Sequence, residues 1–588
     1  MTPPHLNRRL FLKTGAAAAG ALTFPAWAQQ VSHGIAPAAT LSGDEIALSI
    51  GHQMMTVNGR SSHAIAVNGT VPAPLIRLRE GQKVRLSVAN TLDEDSSIHW
   101  HGLLLPFSMD GVPGISFPGI RPRSTFTYEF PVIQSGTYWY HSHSGLQEQM
   151  GLYGPLVIDP AGVDPIQSDR EHVILLSDHS PLHPHAIFRK LKLMGGHFNY
   201  QKQTFAGLLA GKDQPLKDRL AWGAMRMDPT DIADVTGSTY TYLINGHGPA
   251  DNWTGLFKPG ERVRLRIINA SAMTTFNIRL PGLALSVVQA DGLPVRPVEV
   301  DELQIAVAET YDVIVTPAED RAYSLVAESV DRSGMALGTL APRSGLKAEV
   351  PMLRPRPLAT MKDMGMDMGG HVTPGADPNC PPEHAAMGHC TPASVSGAAK
   401  PMQHSMRDFS MAPGVARTPT VQSISPMPMD RMGEPGQGLE DVGHRVLTYR
   451  DLIAITRNPD VRAPERAMEI HLTGNMERYM WAFDGVKFSD IKGPIPFRTG
   501  ERVRITLVND TMMAHPIHLH GHFFELVTGH GDHAPRKHTI NVQPGGKASF
   551  DVTMDAPGDW AFHCHLLYHM HAGMMQVVSV RDGAEVPK

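Results

Sequence analysis

Two stretches near the C-terminal end concentrate ligating side chains: HPIHLHGH from His515 to His522, and HCHLLYHMHAGMM from His563 to Met575. Cys564, His515, His569 and Met574 together offer one thiolate, two imidazoles and a thioether. That is the donor set of a trigonal blue-copper electron-transfer centre with a long axial methionine. In an extended strand successive side chains point to opposite faces. In His563-Cys564-His565 the cysteine therefore faces one way and both histidines the other, so one strand touches two metal sites. An electron received at Cys564 could reach metals held by its neighbours through a few covalent bonds.

The elements that must position these groups announce themselves as a repeat. Leu78 to Asn90, Phe257 to Asn269 and Phe497 to Asn509 share a turn glycine (Gly81, Gly260, Gly500), period-two alternation and a Gly-to-Asn spacing of nine. This is the pattern of a half-buried strand, one copy per domain. Short strands punctuated by Gly, Pro, Asn and Asp suit Greek-key sandwiches rather than alternating βα units. The expected fold is all-β: three β-domains at 30–161, 162–350 and 438–588, with a Met-rich flexible insert over 351–437. Between Phe188 and Asp234 the composition suggests a helical or irregular excursion, and no chemistry is assigned to it.

The repeat also says where ligands are. Nine and eleven residues past the repeat Asn stand His99 and His101 in the first copy and His518 and His520 in the third, against Ile278 and Leu280 in the middle. Gly136 and Gly558 lead at +5 and +7 to His141 and His143, and to His563 and His565. The outer domains thus supply eight histidines from equivalent positions, able to converge into one cluster, with the middle domain as a spacer. The first-domain counterparts of His515, Cys564, His569 and Met574 are Ser96, Ser142, Gln147 and Leu152, which confines the blue site to the third domain. A single His-x-His pair is as readily a surface feature as a site; pairs in register in two domains are not. His179, His183, His185, His197 and His247 lie outside the repeat, and His522, His530, His533, His538 and His571 read as supporting or surface groups.

Composition sets the class. With 588 residues the chain exceeds one core, and with net charge −5 and 19% charged residues it has no basic run for nucleic acid. Met and His each number 31 while Cys is held to three, a balance that favours copper. Asn7-Arg8-Arg9-Leu10-Phe11 followed by an Ala/Gly run and Ala26-Trp27-Ala28 reads as a twin-arginine export signal over 1–28, too short to span a bilayer, so the expected location is the periplasm without a stable membrane anchor. Between Met361 and Met432 methionines are scattered among Gly, Pro, Asp and His with no apolar period, and thioethers in an oxidising compartment favour Cu(I). Cys380 and Cys390 in this stretch are expected to form a disulfide.

HWHG at His99, HSH at His141 and the two C-terminal motifs resemble those of the multicopper oxidases, specifically the bacterial copper-resistance branch, over nearly the whole mature chain. The resemblance implies three cupredoxin-like domains and about four coppers. It implies a type 1 copper on His515, Cys564, His569 and Met574, and a type 2 copper on His99 and His518. The type 3 pair would be held by His101, His141 and His565 on one side, and by His143, His520 and His563 on the other. It further implies that Cys564 relays electrons through His563 and His565, and that Asp110, eleven residues after His99, delivers protons; Asp110-Gly111 is also a common turn pair. The branch pattern is broken at Met570 and His571, where acidic residues would stand. The implied partners are O2 and a one-electron reductant, with cuprous ion ahead of phenols (a laccase), additional Cu(I) on the Met-rich segment, and copper-handling proteins as candidate partners. A copper-sequestering protein with an incidental oxidase centre is the alternative from another class.

Overall fold

The computed structural model describes residues 39–366 and 406–583, together with two short paired strands, Ala376–Asp377 and Thr391–Pro392. The expected export signal, Cys380, Cys390, Met368, Met387 and Met402 lie outside the described residues. Among the described residues, no helix is long and apolar enough to cross a membrane.

Three two-sheet sandwiches follow one another along the chain. In the first, a five-stranded sheet ordered Thr40–Leu41, Leu75–Arg79, Tyr153–Asp159, Gly136–His141, His99–His101 faces a four-stranded sheet centred on Glu45–Val57 and Lys83–Asn90. The third repeats the plan: a five-stranded sheet ordered Ile495–Arg498, Met575–Arg581, Gly558–Cys564, His515–Leu519, Thr539–Val542 lies against a larger sheet containing Arg466–Asn475, Arg502–Asn509 and Gly546–Thr553. The middle sandwich pairs a six-stranded with a five-stranded sheet. Non-sequential strand order within each sheet is the Greek-key signature, and the fold is all-β with three cupredoxin-like domains.

The repeated asparagine has a local cause. Each ends a strand with its side chain turned inward: Asn509 Nδ2 donates to the carbonyls of Met513 and Val542 (2.7 and 3.0 Å), and Asn90 and Asn269 tie down their own following loops in the same way. A buried amide that satisfies several backbone carbonyls fixes where the next strand begins. The ligand-bearing strands therefore start in register in every copy.

The middle sandwich is more than a spacer. Ile278 and Leu280 are buried where the other copies carry histidine. Asp291 accepts from the backbone N–H groups of His538 and Thr539 (3.2 and 3.1 Å), and the fully buried Lys537 ammonium sits between Asp291 Oδ1 and Glu309 Oε1 at 3.0 and 3.1 Å. From the same domain, Arg266 and Thr310 bond Thr137 on the strand that carries His141. Lys537→Met would strand two carboxylates in the interior. It is expected to cost ~3–5 kcal/mol, read as an earlier denaturation midpoint with the fold's circular dichroism unchanged before the transition.

The excursion expected over 188–234 holds the helices Phe205–Leu209 and Leu216–Ala224 and the second half of Pro184–Leu193, which begins four residues before the expected start. Of the stretch expected to be an insert, the described parts are packed. Asp363 and Arg431 form a buried ion pair at 2.7 Å, Met429–Asp430 adds a short parallel strand beside Gly546–Thr553, and Ser425 N donates to Asp510 Oδ1. Small apolar clusters, Ala412, Val415, Val421 and Ile424 in one and Ala359 and Met364 in another, join these polar contacts in holding the stretch without an apolar period.

Candidate metal centres

Ladder register decides which side chains share a face. His518 lies opposite His563 and Ile517 opposite Cys564 between neighbouring antiparallel strands, so Cys564 and His515 point to one side of the sheet and His518 and His563 to the other. In the first domain His99 lies opposite His141. The eight histidines of the repeat meet across the two domains: ring centroids are 3.9 Å apart for His101 and His518, 4.1 Å for His99 and His520, 5.0 Å for His141 and His565, and 5.2 Å for His143 and His563. Ligating atoms lie within 4.8 Å of one another in the groups His101, His141, His565; His143, His520, His563; and His99, His101, His518.

The outward nitrogens of these rings are fixed by the surrounding chain. His99 Nδ1 donates to the Asp110 carbonyl (2.7 Å), His518 Nδ1 to the His538 carbonyl (2.7 Å) and His563 Nδ1 to the Cys564 carbonyl (2.9 Å). The Asp110 carboxylate bridges the domains, 3.3 Å from His99 Nδ1 and 3.0 Å from His520 Nδ1. Its turn demands glycine next, because Gly111 has φ +85° and a Cβ there would meet the Ile98 carbonyl oxygen at 1.9 Å. Glu148, which the sequence did not single out, is buried against His141 with Oε2 2.7 Å from Nδ1, and burial raises its carboxyl well above the usual range.

In the third domain Cys564 Sγ lies 3.6 Å from His515 Nδ1 and 3.9 Å from His569 Nδ1, with the two nitrogens 3.2 Å apart. Met574 is fully buried, and its carbonyl accepts from Cys564 N. The far nitrogens are taken by Thr511 Oγ1 on His515 (2.8 Å) and Asp234 Oδ2 on His569 (2.6 Å), which also accepts from Tyr479 (2.7 Å). Trp481 stacks on the His569 ring at 3.8 Å. Partners of this kind set the tautomer and aim the ligand. Asp234 belongs to the excursion to which the sequence reading gave no chemistry, and the structure corrects that: the excursion orients a ligand-type histidine. In the first domain the corresponding positions are bound up among themselves, with Ser96 and Ser142 hydroxyls both donating to Gln147 Oε1 (2.7 and 3.0 Å).

These donor sets fit a soft or borderline transition metal. His99 Nε2, His101 Nδ1, His141 Nε2, His143 Nε2, His518 Nε2 and both nitrogens of His565 are buried with no protein hydrogen-bond partner. Unpartnered buried polar atoms cost ~1–3 kcal/mol each, which a fold does not accumulate at one point without a ligand to satisfy them. Burial holds His101, His141, His143, His518, His520 and His565 well below the ordinary imidazole range and His563 at about 4, which keeps their lone pairs unprotonated. Burial also pushes the Cys564 thiol up, so its thiolate requires a cation.

Family models described as multicopper oxidase match residues 49–162, 216–343 and 462–584, one in each sandwich. The chain belongs to the multicopper oxidase family. Copper resistance protein A of Escherichia coli is 48% identical over 98% of this chain and 99% of its own length. A homologue from Pseudomonas syringae pv. tomato is 48% identical over 99% and 100%, and L-ascorbate oxidase of Cucurbita pepo var. melopepo 27% identical over 88% and 91%. In fold, the chain is similar to a laccase from Botrytis aclada (TM-score 0.61, 21% identity, 92% of this chain and 88% of that one) and to Fet3p, a multicopper oxidase that functions in iron import (TM-score 0.60, 18% identity, 92% and 90%). Membership in this oxidase family implies copper cofactors, dioxygen and a reductant substrate.

Proposed function

We propose that the chain oxidises cuprous ion, coupling four one-electron oxidations to reduction of dioxygen to two waters, and that this activity serves copper tolerance. Names of relatives with 48% identity support the tolerance role. The observation that carries the choice of reductant is a methionine cluster that includes Met512, three residues before His515, and Ile232, two residues before the Asp234 that holds His569. Met364 and Met512 pack in the interior with Trp222 and Ile232, flanked by Met225, Met227, Met361, Met366, Met406 and Met476. Next to it opens a cavity of about 290 Å³ lined by Met227, Met476, Met512, Asp228, Asp231 and the Arg226–Glu477 ion pair. Thioethers prefer Cu(I), and carboxylates suit the Cu(II) product. Burial raises the carboxyls of Asp231 and Asp234 to about 8 and about 7, so both are poised to ionise as a cation approaches.

In this reading the type 1 copper is held by His515, Cys564, His569 and Met574, the type 2 copper by His99 and His518, and the type 3 pair by the His101 and His143 sets. Bound copper supplies one-electron redox chemistry and the site where dioxygen is reduced. The protein's own part is positional. Asp234, three residues past the cavity-lining Asp231, holds His569 Nε2 at 2.6 Å, and the hydrogen bond from His563 Nδ1 to the Cys564 carbonyl gives electrons a route parallel to the covalent one. Asp110, shared by His99 and His520, is placed to pass protons to the cluster. His569 is fully buried beneath Asp234 and Trp481, a cover that suits a small ion better than a phenol ring. Export by the twin-arginine signal would put this chemistry in the periplasm.

Met227→Leu/Met476→Leu keeps the apolar volume and removes the sulfurs. It is expected to raise KM for Cu(I) about tenfold while leaving kcat/KM for a phenolic reductant within about twofold. Equal losses on both substrates would reject the methionine cavity as the cuprous entry point.

A further inference from the structure

A second group of histidines, none of them in either cluster, gathers where the first sandwich meets the helix Pro184–Leu193. His52 and His63 come from the neighbouring antiparallel strands Glu45–Val57 and Arg60–Val67, with ring centroids 4.5 Å apart. His63 lies directly opposite Met54, and His52 opposite Ile65, so these four side chains share one face of the hairpin. His183 and His185 come from the start of helix Pro184–Leu193 and stack at 5.4 Å. His183 Nδ1 accepts the His185 N–H and caps the helix, so its ligand atom for the cleft is Nε2. All four imidazoles line one open cleft of about 380 Å³, larger than the methionine cavity, together with Glu94, Asp95 and Asp93, the last paired to Arg123. Burial first, then the neighbouring rings of His185 and His63, lower His183 below its ordinary value, so the two pairs lie within electrostatic reach of each other.

Each part of this arrangement favours a divalent cation. Imidazole nitrogens are borderline donors suited to divalent first-row metals. A wall of carboxylates raises the local concentration of cations. Glu94 is held in place by Gln147 Nε2 at 2.9 Å, and Gln147 stands where the third domain has its His569. We propose that this cleft is a binding site for a divalent, imidazole-preferring cation, Cu(II) ahead of Zn(II), distinct from both metal centres. The preference between the two ions follows the general affinity order of nitrogen sites. The inference stands whichever reductant the enzyme uses.

The test titrates the copper-loaded full chain with Cu(II) by calorimetry, with frozen-solution EPR on the added equivalents. The wild type is expected to bind one added Cu(II) that shows splitting from several nitrogens. In His63→Gln/His183→Asn that equivalent weakens at least about tenfold; asparagine preserves the helix cap, and unchanged oxidase turnover on a phenol reports an intact fold. The reciprocal pair His52→Gln/His185→Gln leaves the cap untouched and must show the same loss. Undiminished binding of the nitrogen-rich Cu(II) in either pair, or no added Cu(II) bound by the wild type, overturns the proposal.

Discussion

Cys564→Ser is expected to remove the intense visible band of the copper-loaded protein, lower its copper content by one per chain, and abolish oxidase turnover. The side chain has no substitute: it is the one free cysteine among the described residues, it is fully buried, and its sulfur lies between His515 and His569. A serine hydroxyl is a hard donor with a far higher pKa than a thiol, so it neither forms the thiolate-to-copper charge-transfer band nor holds Cu(I) well. The chain should still fold, because serine is slightly smaller than cysteine and the neighbouring strand pairing of Cys564 with Ile517 is backbone-mediated. Absorption, metal analysis and turnover must fall together. A variant that stays blue would refute the type 1 assignment. The same variant separates the oxidase from a storage protein in cells: tolerance that survives Cys564→Ser would belong to the methionines and histidines as a metal store.

How much of this was legible from residues alone varies with the distance over which the responsible contact acts. The repeat glycine and asparagine act locally, and strand alternation acts within a few residues, so the sandwiches and the facing of His563, Cys564 and His565 could be read directly. The convergence of the eight histidines was legible only because two copies carried the same offsets. Asp234 was not. It meets His569 across 335 positions, from a helical excursion whose composition resembles any polar surface insert. Glu148 and Lys537 were missed for a related reason: a single buried charge has no period, and its role appears only when the fold supplies His141 or the Asp291–Glu309 pair. The methionine-rich stretch shows the limit from the other side. The lack of an apolar period pointed to a flexible insert, yet this stretch holds the short strands Ala376–Asp377, Thr391–Pro392 and Met429–Asp430, and residues 406–432 pack through a small apolar cluster and single polar contacts that periodicity does not register.

His518→Ala is expected to stop dioxygen reduction while leaving the visible band in place. The two effects separate because of the strand geometry. His518 projects from the face of its strand opposite to His515, toward His101 at 3.9 Å between ring centroids, whereas the Cys564 group lies on the other side of the sheet. Removing the imidazole takes away one of the buried unpartnered nitrogens and frees the His538 carbonyl that its Nδ1 now satisfies at 2.7 Å. The chain loses a ligand but gains no new charge, and the cavity left is bounded by rigid strands. A cluster that must gather four electrons before releasing water cannot work with one of its coppers weakly held. Turnover should fall by on the order of 10²-fold or more, with the type 2 EPR signal lost and the type 1 signal kept. His99→Ala, from the other domain and with its Nδ1 on the Asp110 carbonyl, should give the same pattern. Loss of the visible band in either variant would mean that the two centres share ligands. Full turnover in both would show that His99 and His518 do not hold a working copper, and the cluster between the first and third domains would have to be reassigned.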